Sequence, residues 1–93
     1  MASYVTDQNK DRIVALFGIP FDTTKEDIID FMHEFEIDSS DIILGFKGNK
    51  PSGKAIVFLK NEEEVEKAWE LLHQKYIGKR FVNVVPVNKL KYI

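Results

Sequence analysis

Apolar residues along the chain fall into short patches of two different periods, separated by polar turns. Arg12–Phe17 is a β-like run that ends at Gly18-Ile19-Pro20, where Gly and Pro stop a strand. Thr23 with Glu26 three residues on reads as a capping box, predicting a helix from Lys25 to about Glu36. Within it Ile28, Phe31, Met32 and Phe35 share one helical face. Asp41–Phe46 and Lys54–Lys60 read as two further strands, joined by the turn-rich stretch Lys47–Gly53. Asn61 with Glu64 opens a second helix, whose apolar residues are Val65, Ala68, Trp69, Leu71 and Leu72. Tyr76-Ile77-Gly78-Lys79 then turns into a fourth strand, Arg80–Val85, closed by Pro86.

The order β-α-β-β-α-β predicts an α+β fold of the ferredoxin-like type. A four-stranded antiparallel sheet carries two helices on one face. Right-handed crossovers put both helices on the same side and leave the other sheet face open. Strand alternation sends Val14, Leu16, Ala55, Val57, Leu59, Val82 and Val84 toward the helices. It leaves Ile13, Ala15, Phe17, Lys54, Ile56, Phe58, Phe81 and Asn83 on the open face. An apolar patch there marks an interaction surface, unless the C-terminal segment folds back with Leu90, Tyr92 and Ile93 as its cover. Trp69, at helical spacing, is expected in the core. Residues 1–9 read as a polar arm, 10–88 as one domain and 89–93 as a tail.

Composition adds a bound, and charge adds a direction. Ninety-three residues make one domain with a modest core. With no cysteine there is no disulfide or thiolate metal site, and His33 and His73 sit on different helices, so no metal or cofactor is expected. No apolar run reaches the roughly 20 residues of a membrane-spanning helix, and the first residues lack a signal-peptide pattern, so no membrane partner is expected. Net charge is −2, but it is unevenly spread. Residues 21–41 carry −7 and 61–74 carry −4, whereas 47–60 carry +4 and 75–93 carry +5. Helices are thus acidic, and strands and loops basic, which steers an anionic partner to the sheet side.

Ser52-Gly53-Lys54-Ala55-Ile56-Val57-Phe58-Leu59 resembles the RNA-binding octamer of an RNA recognition motif, Lys/Arg-Gly-Phe/Tyr-Gly/Ala-Phe-Val-x-Phe/Tyr. It keeps the Gly, the small residue and the Val, and lacks the two base-stacking aromatics. Val14-Ala15-Leu16-Phe17-Gly18-Ile19-Pro20 is similar to the family's first-strand segment, so the resemblance covers residues 10–88. Three runs resemble the quasi-RNA recognition motifs of heterogeneous nuclear ribonucleoproteins F and H. These are Gly18-Ile19-Pro20-Phe21, the run from Lys50 to Ala55, and Ile77-Gly78-Lys79-Arg80-Phe81-Val82.

That resemblance implies that loops at one rim of the sheet hold single-stranded RNA, typically guanine-rich. By it Phe21 stacks a base, Lys47 and Lys50 contact backbone and base edges, and Arg80 does the same from the start of the fourth strand. The subgroup carries Arg, Glu and a polar residue where this chain has Phe17, Lys54 and Phe58. Phe17, Lys54 and Phe58 are therefore further RNA candidates, through restored stacking on the sheet. The alternative is a protein-interaction domain, its apolar sheet face docking a peptide, a helix or a second copy in a weak homodimer. An enzyme is not expected. An acylphosphatase-like hydrolase needs an Arg in the loop after the first strand, and Gly18–Thr23 has none. Family analogy implies RNA processing in the nucleus, with shuttling to the cytoplasm; mitochondrial RNA handling is the alternative.

Overall fold

A computed structural model of the chain describes residue 6 and residues 8–89. A 3-10 turn, Lys10–Arg12, leads into β1 (Ile13–Phe17), followed by α1 (Lys25–Phe31), β2 (Ile42–Lys47), β3 (Lys50–Phe58), α2 (Glu62–Leu72), β4 (Lys75–Ile77) and β5 (Arg80–Pro86). A last 3-10 turn covers Val87–Lys89. The strands form one antiparallel sheet in the order β2-β3-β1-β5-β4. The expected arrangement is present with one added strand. Tyr76 and Ile77, expected within a turn, join Lys75 in a short hairpin strand with β5 that pairs Tyr76 with Phe81 and Ile77 with Arg80.

Alternation holds on the helix side. Val14, Leu16, Ala55, Val57, Leu59, Val82 and Val84 are all buried, in one cluster with Ile28, Met32, Phe35, Val65 and Ala68 from the helical layer. Trp69 departs from expectation: it is only half-buried and stands outside that cluster. Val65, Ala68 and Leu72, spaced three and four apart, already make the inward stripe of α2, and Trp69 falls at its edge.

Both helix starts are capped by side chains, with one shift. Thr24, not Thr23, caps α1: its hydroxyl accepts the Asp27 N–H at 3.1 Å, and the Asp27 carboxylate accepts the Thr24 N–H at 2.9 Å. The Thr23 N–H is taken by the Pro20 carbonyl at 3.1 Å, closing a turn that delays the helix by one residue. Asn61 caps α2 as expected, accepting the Glu64 N–H at 2.9 Å. α1 ends at Phe31, well short of Glu36. There the bonding tightens: Met32 N–H still reaches Ile28, but His33 N–H goes to Asp30, and the His33 ring Nδ1–H donates to the same carbonyl. Met32 and Phe35 nevertheless remain buried.

The second sheet face is less open than alternation implies. Ile13 and Ala15 are fully buried there under Val87, with Phe17, Ile56 and Phe58 half-buried around them. The chain leaving β5 crosses β1 at the Val87–Lys89 turn, and Asn88 fastens it by donating to the Asp11 carboxylate at 3.0 Å. Leu90, Tyr92 and Ile93, the expected cover, lie outside the described residues.

Candidate nucleic-acid interface

Three separate stretches of chain meet at one rim of the sheet, and a single carbonyl joins two of them. The Gly53 carbonyl accepts both the Gly18 N–H at 2.9 Å and the Ile19 N–H at 3.1 Å. This ties the β1–α1 loop to the base of the β2–β3 hairpin. Arg80, opening β5, donates its Nε–H to the Gly18 carbonyl at 3.1 Å and fastens the same loop from the other side. Gly53 has φ +79°, a region costly for any L side chain. A Cβ there would also lie 3.3 Å from Cε1 of Phe21. The Phe21 ring thus lies over Gly53 while remaining 66% exposed.

A second exposed aromatic stands across from it. Strict alternation after Ile42 and Leu44 would turn Phe46 inward, yet Phe46 is 60% exposed. A register shift between Leu44 and Phe46 releases it. Gly45 makes that shift affordable, because a Cβ there would meet Ser52 Oγ at 2.5 Å and the Lys54 carbonyl oxygen at 3.0 Å. Phe21, Phe46, Pro51 and Lys54 line one narrow cleft of about 30 Å³. A cleft of that size has no room to enclose an aromatic ring. Thr23 also lines it, and its hydroxyl oxygen is buried with no hydrogen-bond partner among the described residues.

The sequence candidates separate by place. Phe21 and Lys54 line the same cleft, and Arg80 is bonded to the loop that carries Phe21. Lys47 and Lys50 face each other across the hairpin, both exposed, next to Phe46. Phe17 pairs with Lys54 across β1 and β3, so it borders the rim, although its side chain is half-buried. Phe58 does not join them. It pairs with Ile13, four residues up β3 from Lys54, or about 13 Å along the strand. The sequence reading missed Phe46; the mid-strand glycine beside it was the available signal. On the far side of the rim Phe81 is exposed and meets Tyr76 edge-to-face, centroids 5.9 Å apart.

A family model described as an RRM domain matches residues 14–90. The chain belongs to the RNA recognition motif family. As an RNA recognition motif it is 34% identical over 77 residues to human RNA-binding protein 12, covering 82% of this chain and 8% of that protein. It is 35% identical over 80 residues to human heterogeneous nuclear ribonucleoprotein H, covering 84% of this chain and 17% of that protein. The crystal structure of human G-rich RNA sequence binding factor 1 superposes with a TM-score of 0.72 at 29% identity, covering 77% of this chain and 75% of that one. The quasi type expected from the loop motifs is therefore supported by relatives that carry it. The chain spans less than a fifth of the length of these curated relatives.

Proposed function

We propose that this RNA recognition motif is a single-stranded RNA-binding module of a longer RNA-processing protein, gripping its strand at the rim rather than across the sheet. The observation that carries this reading is the exposed Phe21 ring, held on a loop bonded to both β3 and β5, with Phe46 and Lys54 on the same cleft and Arg80 fastening that loop. Unpaired bases offer π-faces to Phe21 and Phe46, and their edges to Lys and Arg. Lys47, Lys50 and Lys54 supply phosphate contacts. Guanine preference draws support from these donors, since Arg and Lys pair with guanine O6 and N7, and from the named ligand of G-rich RNA sequence binding factor 1. Burial of Ile13 and Ala15 under Val87 removes much of the sheet face that a protein partner or second copy would use. A nuclear site of action, with shuttling, rests on likeness to heterogeneous nuclear ribonucleoprotein H; mitochondrial import of the tagged parent protein would overturn it.

The test is an amide NMR titration with short G-rich, U-rich, A-rich and C-rich RNAs. Shifts centred on Phe21, Phe46, Lys50 and Arg80, largest with G-rich RNA, are expected. Shifts centred on Phe17 and Phe58 would replace the rim with the sheet. No shift with any RNA at millimolar concentration would defeat RNA binding by this domain. The affinity should fall with salt, with a log–log slope of roughly −0.7 per phosphate contacted.

A further inference from the structure

A hydroxyl sits at the break in the β2–β3 ladder. Leu44 pairs with Ala55 and Phe46 with Pro51, so Ser52, Gly53 and Lys54 stand opposite Gly45 alone. Lys54 finds a partner in Phe17 on the other side, and the Gly53 carbonyl is taken by Gly18 and Ile19, whereas Ser52 is paired in neither register. Its Oγ lies over the space that a Gly45 side chain would fill, since a Cβ there would meet it at 2.5 Å. From Phe46 to Pro51 every residue is exposed, with Lys47 facing Lys50 across the tip. Ser52 therefore ends an exposed arm at the point where the bonding that resists local opening is interrupted.

Charge sets this hydroxyl apart. Lys50 and Lys54 lie two residues to either side of Ser52, and no acid occurs between Asp41 and Glu62. Each of the other described serines and threonines (Thr6, Thr23, Thr24, Ser39 and Ser40) has an aspartate within two residues. Several are also occupied or hidden: the Thr24 hydroxyl caps α1, the Ser40 hydroxyl donates to Asp38, and the Thr23 oxygen is buried. We infer that Ser52 is the phosphate acceptor for a protein kinase that selects basic residues on both sides of a serine, and that the phosphate turns down RNA binding, a consequence that rests on the rim reading. In the transfer Ser52 Oγ bonds to the γ-phosphorus of ATP, the bond from that phosphorus to the leaving ADP oxygen breaks, and the hydroxyl proton passes to a carboxylate of the kinase. The product adds about −1.5 to −2 of charge. Two residues of strand span about 7 Å, inside the roughly 8 Å Debye length of physiological salt, so one phosphate offsets Lys50 and Lys54 together.

The chain is incubated with ATP and a purified kinase of that class, and the phosphate is located by tandem mass spectrometry. Phosphate mainly on Ser52 is expected, with little labelling of Ser52→Ala and slower labelling of Lys50→Gln. A kinase that selects acidic flanks should leave Ser52 unmodified. The phosphorylated chain should bind the tightest of the four RNAs about tenfold or more weakly than the unmodified chain, with a log–log salt slope shallower by roughly 0.7 for each lysine neutralised. Ser52→Ala should bind like the unmodified chain and lose nothing on kinase treatment. Unchanged amide shifts at Ile28 and Val65, both in the core, would show that the fold survives the modification. Phosphate spread evenly over the serines and threonines, none on Ser52, full RNA affinity in the phosphorylated chain, or an affinity loss with no change in slope would each overturn the proposal. Failure of the unmodified chain to bind any of the four RNAs would defeat the rim reading and the switch with it, whereas the acceptor site is decided by the mass spectrum alone.

Discussion

Phe21→Ala separates a binding residue from a packing residue. A fully buried Phe truncated to Ala costs roughly 3–5 kcal/mol. Phe21 is 66% exposed, its contact being largely the face laid over Gly53, so only about a third of that loss applies, near 1 kcal/mol. If Phe21 only packs its loop against Gly53, that stability loss is the whole effect. If it stacks a base, RNA affinity falls by about 1–3 kcal/mol as well, or roughly five- to 150-fold. The assay is fluorescence anisotropy with a labelled G-rich RNA, beside urea unfolding of the same protein. Phe46→Ala, 60% exposed, should behave alike. The double variant should show coupling, because both rings line one cleft. Unchanged RNA affinity in Phe21→Ala, with stability lowered by about 1 kcal/mol, would refute the rim reading and leave a packing role alone.

Three further outcomes follow from the geometry. Gly45→Ala places a methyl against Ser52 Oγ and the Lys54 carbonyl, so the bulge must open; unfolding free energy should fall by about 1–3 kcal/mol and RNA affinity with it. His73→Ala leaves the Val84 N–H without its acceptor, His73 Nδ1 at 3.1 Å, and should cost about 1–3 kcal/mol in denaturant unfolding with RNA affinity unaltered. Asp38 caps the turn before β2, and bonds from the Ser40 hydroxyl and N–H hold its carboxyl below the usual range. Its folded value is the lower one, so its contribution is present above the unfolded value near pH 4 and is lost as pH falls through the folded value. Asp38→Asn should therefore flatten the acid limb of the stability–pH curve, and an unchanged limb would reject that assignment.

Where one period ruled a stretch, the sequence was legible. The seven inward strand residues from Val14 to Val84 obey simple alternation because one face has a core to bury. Asn61 and Glu64 were equally readable, since a cap is a local bond. Thr23 and Thr24 were not separable, because the choice depends on a turn that the Pro20 carbonyl closes. The end of α1 was missed because Phe35 keeps helical spacing and stays buried while the backbone has already left the helix. The residues implied by resemblance met at the rim where their loops are bonded together, and Phe58 did not, because strand length carries it away. Ile13 and Ala15 read as open because their cover, Val87, arrives from more than seventy residues along the chain. The added strand β4 escaped notice because its three residues are too short a run to show a period and are held only by pairing with β5.

The doubly accepting Gly53 carbonyl has a consequence for how the domain selects among RNAs. It ties the loop after β1 to the β2–β3 hairpin before any strand arrives. If the rim grips RNA as proposed, ordering on association falls mainly on the nucleic acid, whose bases must unstack and splay to meet Phe21 and Phe46. A segment folded on itself carries that penalty in full, and one already held open by neighbouring domains carries little. Occupancy along a transcript would then follow local RNA melting as closely as base identity.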